Sequence, residues 1–349
     1  MNTITFVSSL SLLLLAPSLS NEAKPVFAPE DGTTVTKTFS ESAYYSLDAL
    51  SRRAGGQELG EEIPEMNGSN LRRLVVTDTY VEVMDGQPMK LERNFDELFG
   101  ENEISLDVGN GAERYEYELA SDLQEAEPLF TWNKGSESYD VTDREGESQA
   151  IFEGLSEDMD LRGMLPAEDV ELFDSWKIAP EALIEVLRAG GDTRLAPKEL
   201  PEDNTGNLSP LQLVSTSLVS LGFLQEATGE VSAIWEETTK KDGAQFAIIA
   251  IEVEIEAEAD VTDRVMFMLE AVDVEPDEQD LIIEIEVTVS AEGQLIWNLD
   301  QDRFESFELT SEIGFEILLA WKQDMGGNEL EIEIEASLSG ESKFEAQAE

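Results

Sequence analysis

In Ile251-Glu252-Val253-Glu254-Ile255-Glu256-Ala257-Glu258-Ala259, every second residue is a glutamate and every other one is apolar. Ile283-Glu284-Ile285-Glu286-Val287 repeats the pattern, as does Glu329-Leu330-Glu331-Ile332-Glu333-Ile334-Glu335-Ala336. Successive side chains of a strand point to opposite faces, so this spacing predicts strands with one aliphatic face and one carboxylate face. A slip of one residue would bury the acids, so the pattern also fixes register. The aliphatic face needs a cover, since fully burying one Ile or Val contributes roughly 1.5–3 kcal/mol.

The carboxylate face carries a cost. From Glu199 to the C-terminus there are six basic and 37 acidic residues, and like charges facing one another weaken paired strands. The expectation is that the comb strands are not neighbours, or that salt screens them over ~8–10 Å. Thr238, Thr239, Lys240 and Lys241 are available to sit opposite glutamates. Bound cations or a basic partner are the third physical solution.

Over all 349 residues the net charge is −55. Nucleic acid is not an expected partner, because binding it needs a basic surface. An anionic lipid surface is disfavoured for the same reason. Divalent cations, cationic partners or salty surroundings are compatible. The chain has no Cys and no His, which excludes disulfides, thiolate metal sites, Ser-His-Asp hydrolysis and most catalytic zinc sites. Carboxylate chemistry, Ser-Lys pairs and oxygen-ligated metals remain, but there is no Gly-rich phosphate loop, nucleophile elbow or Ser-x-x-Lys, so an enzyme is not expected. A hydrolase using two carboxylates is the unsupported alternative. The five Trp (132, 176, 235, 297 and 321) read as core or sheet residues.

Residues 1–20 carry no charged side chain; a leucine-rich run ends at Ala16, and Ser18 and Ser20 precede a cut before Asn21. This reads as a signal peptide, with export to the periplasm or the cell exterior. The apolar run is shorter than a bilayer span, so no span is expected after cleavage. Residues 21–32 form a lead-in, and 33–349 one β-rich domain. Its first strand group covers 33–141, with Met84-Asp85-Gly86 as a hairpin turn and Gln57–Asn70 as a loop. A helical segment follows over 166–224. Pro166–Trp176 and Pro180–Ala189 read as helices, the second with Pro at its first turn and Gly190-Gly191 past its end. Ser209 and Pro210 then cap an apolar stripe of Leu211, Val214, Leu218, Leu221 and Leu224. A strand meander over 231–338 completes the chain. The expected fold class is α+β, mainly β: long curved antiparallel sheets wrapped against two or three helices. An outer-membrane barrel also alternates over ~10 residues, but the helical middle and the acidic loops count against it.

Two acidic segments are candidate cation sites, weak because neither has the EF-hand ligand order. One is Glu157-Asp158-Met159-Asp160; the other is the loop holding Asp273, Glu275, Asp277 and Asp280. No cofactor is implied.

Several stretches resemble a group of uncharacterised exported acidic bacterial proteins. They are Val76-Thr77-Asp78-Thr79-Tyr80 with Asp85-Gly86-Gln87-Pro88, Glu157 to Arg162, Trp176 to Leu183 with Gly190-Gly191-Asp192, and Gly293 to Leu299 with Arg303-Phe304. The resemblance implies export and brings no activity with it. In shape alone, a meandering sheet against a few helices resembles the half-barrels of lipoprotein carriers. The leading expectation is an exported non-enzymatic binding protein, with an apolar small molecule or lipid held against the sheet under the 209–224 helix. The alternative is an acidic envelope or matrix protein that binds calcium or other cations.

Overall fold

The computed structural model describes residues 24–59, 65–107, 112–198, 227–262, 279–324 and 329–349. Strands dominate these residues. The first group is β1 (Thr34–Ala54), β2 (Gln57–Glu58), β3 (Glu65–Met84), β4 (Gln87–Asp107), β5 (Ala112–Ala120), β6 (Leu129–Asn133) and β7 (Ser138–Thr142). Next come β8 (Ser175–Ile178), helix α1 (Pro180–Leu187) and β9 (Ala196–Pro197). The last group is β10 (Ala227–Lys241), β11 (Ala244–Asp260), β12 (Gln279–Asn298), β13 (Arg303–Asp324) and β14 (Glu329–Ala348).

All belong to one 14-stranded sheet, in the order β7-β6-β4-β3-β1-β14-β13-β12-β11-β10-β8, with β2, β5 and β9 off this path. The two strand groups therefore join, and the joint is β1 lying antiparallel to β14, from Lys37 opposite Ala348 to Ala54 opposite Ile332.

Period-two chemistry decides the faces. Ile251, Val253 and Ile255 are only 1–3% exposed, while Glu252, Glu254 and Glu256 between them are exposed. Ile283, Ile285, Val287 and Val289 of β12 are buried likewise, as are Phe315, Ile317 and Leu319 of β13. On the covered face, one apolar cluster runs from Phe27 to Ala348. Part of the cover comes from the segment between β7 and β9, which contributes Phe152, Met159, Leu161, Met164, Leu183 and Ile184. The lead-in adds Phe27, whose ring meets Tyr80 edge-on at 5.7 Å. Trp297 donates its indole N–H to the Val26 carbonyl at 3.1 Å.

The expected α+β class with two or three helices is corrected. The protein is mainly β, with one α-helix among the described residues. That helix, α1, is the one bracketed by Pro180 and the left-handed Gly190 and Gly191. Residues 166–176 are not helical. Arg162–Met164 make a short 3-10 turn, and Phe173 takes a left-handed φ of 75°. The Phe173 N–H donates to the Trp235 carbonyl at 2.8 Å, the Trp235 N–H returns to Asp174 at 3.1 Å, and β8 then pairs with β10. Val170, Phe173 and Trp176 are spaced as on a helix, but pairing with a sheet edge outweighs local periodicity. The stripe of residues 209–224 lies outside the described residues. Within the expected loop at 57–70, Gln57–Glu58 form β2 and residues 65–70 begin β3, while residues 60–64 lie outside the described residues.

The comb strands prove to be neighbours. Glu258 faces Glu286 across β11 and β12, Glu286 faces Glu316 across β12 and β13, and Glu312 faces Glu341 across β13 and β14. Interleaved hydroxyls and a few cations soften the repulsion. Glu254 faces Ser290 and Glu256 faces Thr288, and Thr310 faces Lys343. Ser290 donates to Glu254 at 2.8 Å, and Ser337 donates to Glu316 at 2.9 Å.

Candidate functional site

Three strands carry a charged residue where their alternation places an apolar one. Lys37 lies between Val35 and Phe39 on the covered face of β1, Asp78 between Val76 and Tyr80 on β3, and Arg93 between Leu91 and Phe95 on β4. All three are at most 1% exposed. An isolated buried charge is costly, so each must be paired. Arg93 grips Asp78 with two N–H groups, Nε at 2.7 Å and a terminal nitrogen at 2.9 Å. Lys37 reaches Asp78 at 2.8 Å and Asp160 at 2.6 Å, and it donates to the Tyr80 hydroxyl at 2.8 Å. The remaining Arg93 N–H groups hold the carbonyls of Ser156 and Glu157 at 2.7 and 2.8 Å. Arg162 pairs with Glu157 and with Asp158 at 3.1 Å, its guanidinium lying 5.4 Å from the Phe27 ring centre.

Burial by itself would raise the Asp78 carboxyl; Arg93 and Lys37 overcome it and hold the group down at about 2. Glu157 has the opposite balance. Burial pushes it up to about 7, Asp158 and Asp160 add to the rise, and Arg162 opposes it. Burial also raises the Tyr80 hydroxyl well above its ordinary range, helped by Asp160 and Asp78. Lys37, Asp78, Arg93 and Asp160 are closed to solvent, Arg162 and Asp158 lie at the cluster's partly open edge, and the cations are paired, so the geometry is that of a clamp fixing residues 156–162 to the sheet.

The concave space lies on the other face. An open trough of about 970 Å3 crosses β10, β11, β12, β13, β14 and β1. Two rows of registered residues line it. One is Thr228, Glu256, Thr288, Gly314, Ser339 and Ser46; the other is Glu254, Ser290, Glu312, Glu341 and Tyr44. Gly229 and Gly340 flank these rows. A Cβ on Gly229 would stand 2.2 Å from the Glu254 carbonyl oxygen, and one on Gly340 would stand 2.3 Å from that of Tyr44. Backbones approach here as only glycine permits. Among the described residues the lining holds four glutamates, five Ser and Thr hydroxyls, one tyrosine, three glycines and the apolar Ile255, Val289 and Ile313, with no lysine or arginine.

Of the sequence candidates, Asp158 and Asp160 belong to the buried cluster. Asp160 is clamped by Lys37, and Asp158 pairs with Arg162 while accepting the Asp160 N–H at 2.8 Å. Asp273, Glu275 and Asp277 lie outside the described residues, and Asp280 sits at the start of β12. Among the described residues there is no group of three acidic side chains arranged to hold a metal ion. Lys37, Asp78 and Arg93 were missed by sequence reasoning. Their signal was a charge at an inward-facing position of each strand. The trough had no local signal, because its rows are assembled from six strands.

No known protein family matches the sequence, and no curated protein matches it. Among solved structures, the chain is similar to an outer membrane channel from Pseudomonas putida F1 at 12% identity and a TM-score of 0.23. The match covers 95% of this chain and all of the other. A score that low does not define a shared fold. No helix among the described residues is long and apolar enough to cross a membrane.

Proposed function

We propose that this chain is an exported, non-catalytic binding protein whose working surface is the acidic outer face of its sheet. Export rests on the leader of residues 1–20. One observation carries the reading: a formed trough, walled by Glu254, Glu256, Glu312 and Glu341, with no cation in its lining among the described residues. Such a surface concentrates cationic partners by its field. A lipid-facing barrel needs an exposed apolar band; here the apolar sides of β11, β12 and β13 are covered and the glutamates face out. Acid–base hydrolysis needs one carboxyl kept protonated, usually by burial, and Glu254, Glu256, Glu312 and Glu341 are exposed. Calorimetry at moderate salt, with calcium and separately with an organic polycation, tests the proposal. Saturable heat and a rise in melting temperature with either cation support it. No heat and no thermal shift with both would end it.

A further inference from the structure

The clamp on the covered face divides by charge into two parts. Lys37 and Arg93 meet Asp78 and Asp160 through contacts of 2.6–2.9 Å, two cations against two acids. This inner part is balanced. In the outer part, among the described residues, Arg162 pairs with both Glu157 and Asp158, so one acid is in excess. The Glu157 side chain is 3% exposed, and its Oε1 atom has no hydrogen-bond partner among the described residues. A carboxylate buried in that way is costly as an anion and is relieved by a proton. Solvent is close by, since Asp158 and Arg162 stand at the partly open edge.

The groups on the neighbouring elements do not supply the missing cation. Arg93 on β4 is taken by Asp78 and reaches this segment through the carbonyls of Ser156 and Glu157. Lys37 on β1 is taken by Asp78 and Asp160. Tyr80 on β3 and Tyr139 on β7 face Glu157 as neutral phenols, both pushed above their ordinary range by burial. Glu185 on α1 lies near Asp158 and Arg162, and Arg188 just past the helix opposes its charge.

The chain next to the excess acid is built to move. Arg162–Met164 form a single 3-10 turn, entered through Leu161 at a left-handed φ of 58°, a conformation costly for leucine. Two backbone bonds close the turn, Met164 N–H to the Leu161 carbonyl at 3.0 Å and Leu165 N–H to the Arg162 carbonyl at 3.1 Å. The Trp176 indole N–H donates to the Met164 carbonyl at 3.0 Å.

We propose that Glu157, Asp158 and Arg162 form a proton-operated latch: protonated Glu157 keeps the turn at 162–164 closed, and ionised Glu157 opens it to water while Asp160 stays on Lys37. When the turn opens, Arg162 also leaves the Phe27 ring, 5.4 Å away, so the latch loosens the lead-in as well. The direction follows from linkage. In the closed state Glu157 keeps its proton up to about pH 7, whereas in the open state it ionises near 4.5. Opening therefore releases a proton, and it becomes easier as pH rises between those values and levels off above them.

Hydrogen exchange, corrected for the intrinsic effect of pH on amide exchange, tests the latch. Between pH 5 and 7.5 the protection of the Met164 and Leu165 amides should fall roughly 30- to 100-fold, and at pH 7.5 both should exchange ahead of the amides of β1 and β3. Glu157→Gln should abolish the fall. Asp158→Asn removes the excess acid by another route and should move the fall to lower pH, an effect that a merely structural role would not produce. Circular dichroism confirms that each variant is folded. Exchange of Met164 and Leu165 at the rate of the β1 and β3 amides at every pH would overturn the latch, because the turn then opens only with the whole fold. An undiminished fall in Glu157→Gln, or an unmoved midpoint in Asp158→Asn, overturns it too.

Discussion

Carboxylates occur in two settings on the two faces of one sheet. Asp78, Asp160 and Glu157 are buried on the covered face, each against a lysine or arginine. Glu254, Glu312 and Glu341 stand on the open face with no cation in the trough lining. The difference follows from solvation. An acid removed from water must find its counter-charge within the protein, whereas one left in water is satisfied by solvent and salt. With 22 basic residues for 77 acids, the cations at the clamp are placed where their absence would cost most.

The largest effect should come from breaking the clamp. Asp78→Ala leaves Arg93 buried without a carboxylate and Lys37 with Asp160 alone, and a loss of about 3–5 kcal/mol is expected in urea unfolding. A loss under about 1 kcal/mol would mean that the two cations reach solvent or other acids, and the contrast between the faces would fail.

pH separates the clamp acids from one another. Asp78 is held below its unfolded value, so its contribution is present above about pH 4 and is lost as pH falls through about 2; it amounts to roughly 2 kcal/mol. Glu157 is held above its unfolded value, so the folded state carries the extra proton. Stability therefore declines as pH climbs from about 4.5 to about 7, by up to roughly 3 kcal/mol. Glu157→Gln should flatten that decline, as read from urea midpoints at pH 5 and 8. An unchanged slope would show that general repulsion among the surface acids sets the pH dependence.

The smallest effect concerns the open face. Glu286 stands between Glu258 and Glu316 on adjacent strands. Glu286→Lys should stabilise the protein by about 0.5–1 kcal/mol at low salt, and the gain should shrink as salt is added. A gain that ignores salt would point to packing rather than repulsion.

The comb strands were legible because strict alternation leaves one solution: Ile251, Val253 and Ile255 covered, glutamates out. The α1 helix was legible from Pro180 and the Gly pair. Residues 166–176 were misread because a short apolar spacing suits either a helix or a turn leading into an edge strand, and β10 made the choice. Asp78 and Glu157 to Arg162 belong to stretches singled out in the sequence, yet their meeting was not readable, since 78 residues separate Asp78 from Ser156 and only the fold closes that distance. The trough was hidden for a stronger reason. Thr228, Thr288, Gly314, Ser339 and Ser46 are neighbours only through register.

The pairing of β1 with β14 places the first long strand against the last, in the middle of the sheet. A chain emerging from its N-terminus would thus hold one edge of β1 open until the final twenty residues arrive. Such late closure makes folding slow, and it exposes a row of unpaired amides that invites association with other chains. The glutamates on the growing sheet would keep such half-built copies apart, which gives the excess of acids a use before the native state exists. Removing β14 should accordingly split the sheet at its centre rather than trim its margin.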